Sequence, residues 1–208
     1  MASIITLKHD GKSEIEISKS VFIGHAKHVT TPEEAISFVD EIKSKYPDAR
    51  HNCYAWIVSG DVSMQKYSDD GEPQGTAGMP MLSCLTKKNI TNAAVVVTRY
   101  FGGILLGKGG LVRAYSDTCA EALLDAEIIE EKPCVTFAFN VDYSLSERIT
   151  YDIKMRGYRL DNIEYGADVR IFVTCLSESV EEFNEFLTNA TSGKVEPEKI
   201  REFMDVYD

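Results

Sequence analysis

The sequence has no run of about 20 apolar residues, which is the length that crosses a lipid bilayer. Its first residues reach Lys8, His9 and Asp10 before the apolar core of a signal peptide could form. The five cysteines are odd in number and include no Cys-x-x-Cys pair, so they predict buried, reduced thiols rather than a disulfide framework. We therefore expect a cytoplasmic protein without a membrane segment.

Positive charge is also scarce. Lys and Arg number 22 against 33 Asp and Glu, for a net charge of -11, and the acidic excess is larger after residue 130. Non-specific coating of nucleic acid needs clustered positive charge, so this composition excludes it and gives no expectation of DNA-sequence readout. Any site for a polyanion must be local.

Known cofactor motifs are missing. Neither G-x-G-x-x-G nor G-x-x-x-x-G-K-[ST] occurs, which excludes the usual dinucleotide and P-loop sites. His51 and Cys53 lack a second ligand pair at zinc spacing. We predict no resident cofactor, with Mg²⁺ kept as a minor alternative.

The pattern of the first 130 residues indicates mixed helices and strands. Thr31-Pro32-Glu33-Glu34 is typical of a helix start, and the three valines of Ala93–Thr98 predict a strand that is buried on both faces. The order suggests an α+β layer with helices on one face. Further predicted elements are strands in 14–29 and Cys53–Val58, a short helix around 81–85, and a helix from Leu111.

A break near 130–133, where charge and proline interrupt the apolar pattern, predicts two domains, 1–130 and 134–208. The second domain begins with strict alternation from Val135 to Tyr143. A helix with a Ser144-x-x-Glu147 start, a hairpin and an acidic helix follow. The segment 200–207 is a strand or a helix. With a strand, the order is the βαββαβ of a ferredoxin-like unit.

The stretch Arg99–Tyr115 carries five glycines between a buried strand and a helix. Amides at a helix start favour an anion, and glycine allows close backbone approach, so the stretch predicts a phosphate or RNA site. The alternative is a tight structural turn in which Arg113 pairs with Asp117. The candidate binding residues are Arg99, Gly102, Gly103, Lys108, Gly109, Gly110 and Arg113, with Tyr67 and Tyr100 for stacking.

Upstream, Asp69, Asp70 and Glu72 crowd three carboxylates into four residues. They could hold Mg²⁺ together with substrate phosphates. They could equally cap a turn, or pair with Arg99 and hold the glycine stretch in place. His51 is a candidate donor at the mouth of the same site.

Three long motifs occur in order: HNCYAW at 51–56, DDGEPQGTAGMP at 69–80, and RYFGGILLGKGGLVRAY at 99–115. Together they resemble the signature of the YigZ/IMPACT family. The resemblance implies a first domain with the ribosomal protein S5 domain 2-like fold and a small ferredoxin-like second domain. It also implies a role in translation, since the eukaryotic branch restrains a stress-activated initiation-factor kinase.

Two functions are compatible with these residues. The first is a non-catalytic regulator that binds RNA, the ribosome or another phosphate-bearing partner of the translation machinery through the glycine stretch. The second is an enzyme for a phosphorylated small molecule, with Mg²⁺ on the acidic turn and His51 as acid or base. The sequence assigns no catalytic nucleophile, which favours the first.

Overall fold

A computed structural model describes residues 2–60 and 62–207. The chain divides into two compact units, one comprising Ile4–Glu130 and the other Glu131–Asp208 with Met1–Ser3. Within the described residues, no helix combines the length and the apolar character needed to cross a membrane.

The first unit is built on an antiparallel sheet with the strand order β2-β3-β6-β4-β5. A short strand, β1, precedes it. The strands are β1 (Ile4–Leu7), β2 (Gly11–Ile17), β3 (Ser20–His28), β4 (His51–Val58), β5 (Met64–Ser68) and β6 (Ala93–Tyr100). The helices are α1 (Pro32–Lys45), α2 (Gly78–Lys87) and α3 (Gly107–Asp125).

Helix α1 begins as its sequence predicts. The Thr31 hydroxyl accepts a hydrogen bond from the Glu34 amide at 3.2 Å, and Pro32 occupies the first turn. The apolar side of α1 packs against one face of the sheet, where it meets Trp56 and Val96. The predicted helix is confirmed.

The opposite face of the sheet packs against α2 and α3. Val95 and Val97 of β6 belong to the core that contains Leu85 and Leu123, whereas Val96 belongs to the α1 side. Successive residues of a strand point to opposite faces, so the valine run needs cover on both. The expectation of helices on one face alone was therefore wrong, and the α+β class is confirmed.

The second unit has the order βαββαβ. Its elements are β7 (Ile128–Val141), α4 (Tyr143–Met155), β8 (Arg159–Tyr165), β9 (Val169–Leu176), α5 (Val180–Thr191) and β10 (Glu198–Asp205). The strands pair antiparallel in the order β10-β7-β9-β8, which is the ferredoxin-like arrangement. Phe183 is fully buried and packs against Phe137 and Tyr158 at the centre of the core. This prediction is confirmed.

Three local details differ from what the sequence pattern suggests. The predicted domain boundary near 130–133 lies within the continuous strand β7, where Pro133 is opposite Met204. Helix α4 has Asp142 as its N-cap rather than Ser144. The sequence pattern also does not indicate β1 or β5. Strand β5 is almost entirely exposed, so it shows no apolar alternation to detect.

The pH dependence of the first unit should involve His25. Burial lowers the pKa of His25 to about 4, with help from the charges of Lys45 and Lys12, and its Nε2 lies 3.0 Å from the Tyr46 hydroxyl. The unfolded chain therefore takes up the proton first as the pH falls. Stability is fully present above about pH 6.5 and should fall by up to about 3 kcal/mol as the pH drops towards 4.

Urea unfolding across this pH range tests the prediction. His25→Gln should flatten the decline between pH 6.5 and 4, whereas His9→Gln, at an exposed position, should leave it unchanged. Identical pH profiles for His25→Gln and the parent protein would contradict it.

Candidate functional site

The glycine stretch leaves the end of β6 as an exposed loop and enters α3. Gly103 and Gly107 have φ values of +84° and +69°, which other residues rarely adopt. Gly102 lies against the backbone of the turn between β2 and β3, and its amide donates to the Ser20 hydroxyl at 3.1 Å. The loop is therefore fixed at its base and open at its tip.

The start of α3 lacks the usual features of a satisfied helix N-terminus. Leu106 is the N-cap and provides no side-chain hydrogen bond, and the first turn contains no acidic residue. Lys108 is exposed in that turn, and nothing lies within 4 Å of the position that a Cβ on Gly109 would take. Unpaired amides, the positive end of the helix dipole and a lysine thus face open space, a combination that suits an anion.

Two further basic residues lie close to this surface. Arg113 follows Gly109 by one turn of α3, and its side chain is 84% exposed. It forms the predicted pair with Asp117, with Nε 3.7 Å from the carboxylate, and exposed pairs of this kind are weak. Lys19 is exposed in the turn that Gly102 contacts. No motif marks Lys19, and only the fold brings it here.

The tip of the loop is apolar and exposed. Phe101 is 51% exposed, Ile104 47% and Leu105 87%. Apolar residues beside a buried strand are typical of a core, so the sequence alone does not mark them as ligand contacts. An exposed aromatic ring next to basic residues is a suitable platform for a nucleotide base.

Arg99 is predicted from sequence to contact phosphate, but its guanidinium lies inside the protein. Its Nη1 donates to Glu72 Oε1 at 2.7 Å, and both side chains are almost fully buried. The Tyr115 hydroxyl donates to the same oxygen at 2.8 Å. Burial raises the pKa of the Tyr115 phenol, so this hydroxyl keeps its proton. The geometry favours the alternative in which Arg99 and Glu72 pair and hold the loop.

The other two carboxylates of the acidic turn are also occupied. Asp69 accepts hydrogen bonds at 2.8–3.0 Å from the amides of Gly75, Ala77 and Gly78, the last being the first residue of α2. Asp70 accepts the Asn52 amide at 2.7 Å. These contacts match the alternative in which the acids cap a turn.

His51 belongs to the same network. Its Nδ1 lies 2.9 Å from the Asp70 carbonyl oxygen, so the predicted donor at the site mouth contacts the turn itself. Within residues 2–60 and 62–207 no cluster of three His, Cys, Asp or Glu side chains is arranged to hold a metal ion. The hydrogen bonds of Asp69, Asp70 and His51 thus favour the structural alternative for the acidic turn.

The two predicted stacking tyrosines are not brought together. Tyr100 ends β6, and its hydroxyl donates to Asp48 at 2.8 Å, a hydrogen bond that raises the pKa of the phenol. Tyr67 on β5 lies level with Val95 on β6, because both pair with Ala55 of β4. Val95 is five residues before Tyr100, so at about 3.4 Å per residue Tyr67 and Tyr100 are roughly 17 Å apart along the strand direction. Phe101 is better placed to stack.

Comparison with known proteins gives two domain matches. The Impact N-terminal domain matches residues 18–123, and a domain of unknown function, DUF1949, matches residues 139–194. IMPACT family member YvyE of Bacillus subtilis is 38% identical over 92% of this chain and 88% of its own length. The chain belongs to the YigZ/IMPACT family.

Further proteins are similar to this chain. IMPACT family member YigZ of Escherichia coli is 36% identical over 87% of this chain and 90% of its own length. A crystal structure of a hypothetical protein, 33% identical, matches 97% of this chain and 98% of its own with a TM-score of 0.62. The protein IMPACT homolog of Saccharomyces cerevisiae is 36% identical over 51% of this chain and 42% of its own length.

In this YigZ/IMPACT protein, Glu72→Gln should cost about 3–5 kcal/mol of unfolding free energy. The substitution keeps the side-chain shape but leaves the Arg99 charge buried without a counter-charge. Urea unfolding measures the loss, and Glu121→Gln on the exposed side of α3 is the matched control. A loss below about 1 kcal/mol would mean that the pair does not anchor the loop.

Alanine substitution should affect stability differently at Gly102, in the loop, and at Gly109, in the first turn of α3. A Cβ on Gly102 would come 2.0 Å from the Lys19 backbone, so Gly102→Ala should destabilise by about 2–4 kcal/mol. Gly109 has open space and lies in a helix, so Gly109→Ala should be neutral or stabilise by up to about 1 kcal/mol. The urea denaturation midpoints of the two variants measure this difference. Equal destabilisation by both substitutions would contradict the loop geometry.

Proposed function

We propose that this YigZ/IMPACT protein is a cytoplasmic, translation-associated regulator that binds single-stranded RNA, free or in the ribosome, without catalysis. The translational role is the one that the family resemblance implies. The RNA site is the exposed loop Phe101–Leu106 together with the first turns of α3. The observation that carries the proposal is the uncapped α3 N-terminus, with Lys108 in place of an acid and open space at Gly109.

The contacts available suit a short stretch of RNA backbone. Lys108, Arg113 and Lys19 are exposed and carry like charge, and the amides of Gly109 and Gly110 add donors without formal charge. Arg99 is left out of the contacts because its charge is already paired. Phe101 offers a half-exposed ring for stacking, which tolerates any base. Affinity should therefore be modest and largely independent of sequence.

Net charge limits the site but does not exclude it. The total of -11 opposes approach of a polyanion at low salt. The Debye length is about 8 Å at physiological ionic strength, so distant carboxylates are screened while adjacent lysines still act. In the described part of the chain all five cysteines are free, which supports the reducing compartment in which translation takes place.

The salt dependence of RNA binding tests the proposal. Fluorescence anisotropy with a labelled oligouridine should give a log–log slope of about -2, since each phosphate contact of single-stranded RNA contributes about -0.7. Lys108→Ala should reduce the slope magnitude by about 0.7 at unchanged stability. Lys154→Ala, an exposed lysine of the second unit, is the matched control and should change neither slope nor affinity.

A second variant separates stacking from charge. Phe101→Ala should weaken binding by about five- to a hundredfold and leave the salt slope unchanged, because a stacked base contributes about 1–3 kcal/mol and releases no counterion. Tyr151→Ala, at an exposed aromatic of α4, is its control.

An unchanged slope and affinity in Lys108→Ala would remove that residue from the site. Absence of wild-type binding at low salt would overturn the RNA proposal. Tight Mg²⁺ binding that Asp70→Asn abolishes would favour the enzyme alternative instead.

A further inference from the structure

Two cysteines of the first unit meet where α2 packs against α3. Cys84 is partly exposed and its thiol donates to the Ser116 carbonyl at 3.7 Å, while the fully buried Cys119 thiol donates to the Met81 carbonyl at 3.9 Å. Met81 precedes Cys84 by three residues, and Ser116 precedes Cys119 by three. The Cys84 sulfur thus contacts the turn of α3 that precedes Cys119, and the Cys119 sulfur contacts the turn of α2 that precedes Cys84. This reciprocal contact places the two side chains next to each other.

The two thiols have unequal acidity. The hydrogen bond from Cys119 is the main cause that lowers the pKa of Cys84 to about 7, and Ser116, Lys87 and Lys88 act in the same direction. The same contact, together with burial, raises the pKa of Cys119. Cys84 is therefore the more reactive member of the pair near neutral pH, because the thiolate is the nucleophile.

The remaining cysteines lack this arrangement. Burial raises the pKa of Cys53, and it raises that of Cys175 to about 11. Cys134 also has a raised pKa, again because of burial. Such thiols stay protonated and react slowly with oxidants. The chain thus contains a single partly exposed thiol with a thiol partner among the residues that the structure describes.

We propose that Cys84 and Cys119 are a peroxide-sensitive thiol pair that closes to a disulfide between α2 and α3. The Cys84 thiolate attacks one oxygen of a hydroperoxide, the O–O bond breaks, and the other oxygen leaves as water or an alcohol after taking up a proton. Cys84 is then a sulfenic acid.

In the second step the Cys119 sulfur attacks Cys84, the S–O bond breaks, and the oxygen leaves as water with the Cys119 proton. With hydrogen peroxide, two thiols and one peroxide give one disulfide and two waters. The sulfur pair loses two electrons and the peroxide gains them. A small-molecule dithiol reverses the reaction by exchange.

The pair joins α2, which follows the acidic turn, to α3, which follows the loop. Helix α2 begins at the amides that Asp69 caps, and α3 begins at the glycine loop. A covalent link about two turns into α2 and about three turns into α3 would fix how the helices pack against one another. This inference stands independently of RNA binding, since it uses none of the proposed RNA contacts.

Peptide mapping after titration with hydrogen peroxide tests the pair. The wild-type protein should lose the mass of two hydrogens and yield a peptide that joins Cys84 to Cys119, and a dithiol should restore it. In Cys84→Ser the rate of peroxide consumption should fall by about tenfold or more, because the remaining thiols are largely protonated. Cys175→Ala is the control and should react as the wild type does.

Cys119→Ala should stop the reaction at the sulfenic acid of Cys84, which gains one oxygen and is trapped by dimedone. If this core substitution unfolds the protein, the mapping of wild-type protein decides alone. Failure to find the Cys84–Cys119 peptide under conditions that oxidise Cys84 would overturn the pair. A wild-type rate no higher than that of Cys84→Ser would overturn it as well.

Discussion

The buried pair of Arg99 and Glu72 is the interaction on which the rest of the site depends. Removing two charges from water costs several kcal/mol per ion, and the cost is offset only when the geometry is good and further hydrogen bonds are made. Glu72 Oε1 accepts from Arg99 Nη1 and from the Tyr115 hydroxyl, and Arg99 Nη2 donates to the Ser20 hydroxyl at 3.3 Å. The guanidinium also packs over the rings of Phe22 and Phe101, while Arg99 Nε has no hydrogen-bond partner among the described residues. Arg99 precedes the exposed loop and Tyr115 follows it. One carboxylate therefore links β6, which ends at the loop, to α3, which begins after it.

This anchoring separates the motifs into two kinds of residue. In the acidic turn Asp69 caps α2 and the buried Glu72 pairs with Arg99, so the density of carboxylates reflects the backbone amides and the arginine that they satisfy. After Gly102 the chain is less constrained, since nothing lies within 4 Å of a Cβ placed on Gly103, Gly107 or Gly109. Glycines that are open to solvent and a lysine in an uncapped first turn contribute little to stability, and they are the residues left available for a ligand.

The fold was largely predictable because its signals are local. The cap of α1 at Thr31, the valine run of β6 and the βαββαβ order of the second unit can all be read from short windows. Exposed strands such as β5 carry no alternation, so they could not be recognised. The strand through Pro133 was obscured by a residue that usually ends a sheet segment. The packing of helices on both faces of the first sheet depends on how the chain crosses from one face to the other, which a short stretch of sequence does not indicate.

The site was harder to predict because burial decides the role of identical residue types. Arg99 and Arg113 both flank the glycines, yet one is paired inside the protein and the other is 84% exposed. The strand register explains the difference, because Arg99 is the last fully buried residue of β6 and its side chain meets Glu72, whereas Arg113 lies on the outer side of α3. Phe101 shows the reverse case, since this apolar side chain directly follows a core strand and is solvent-exposed. A charged or aromatic residue in a glycine-rich motif therefore indicates a ligand contact only after its place in the sheet or helix is known.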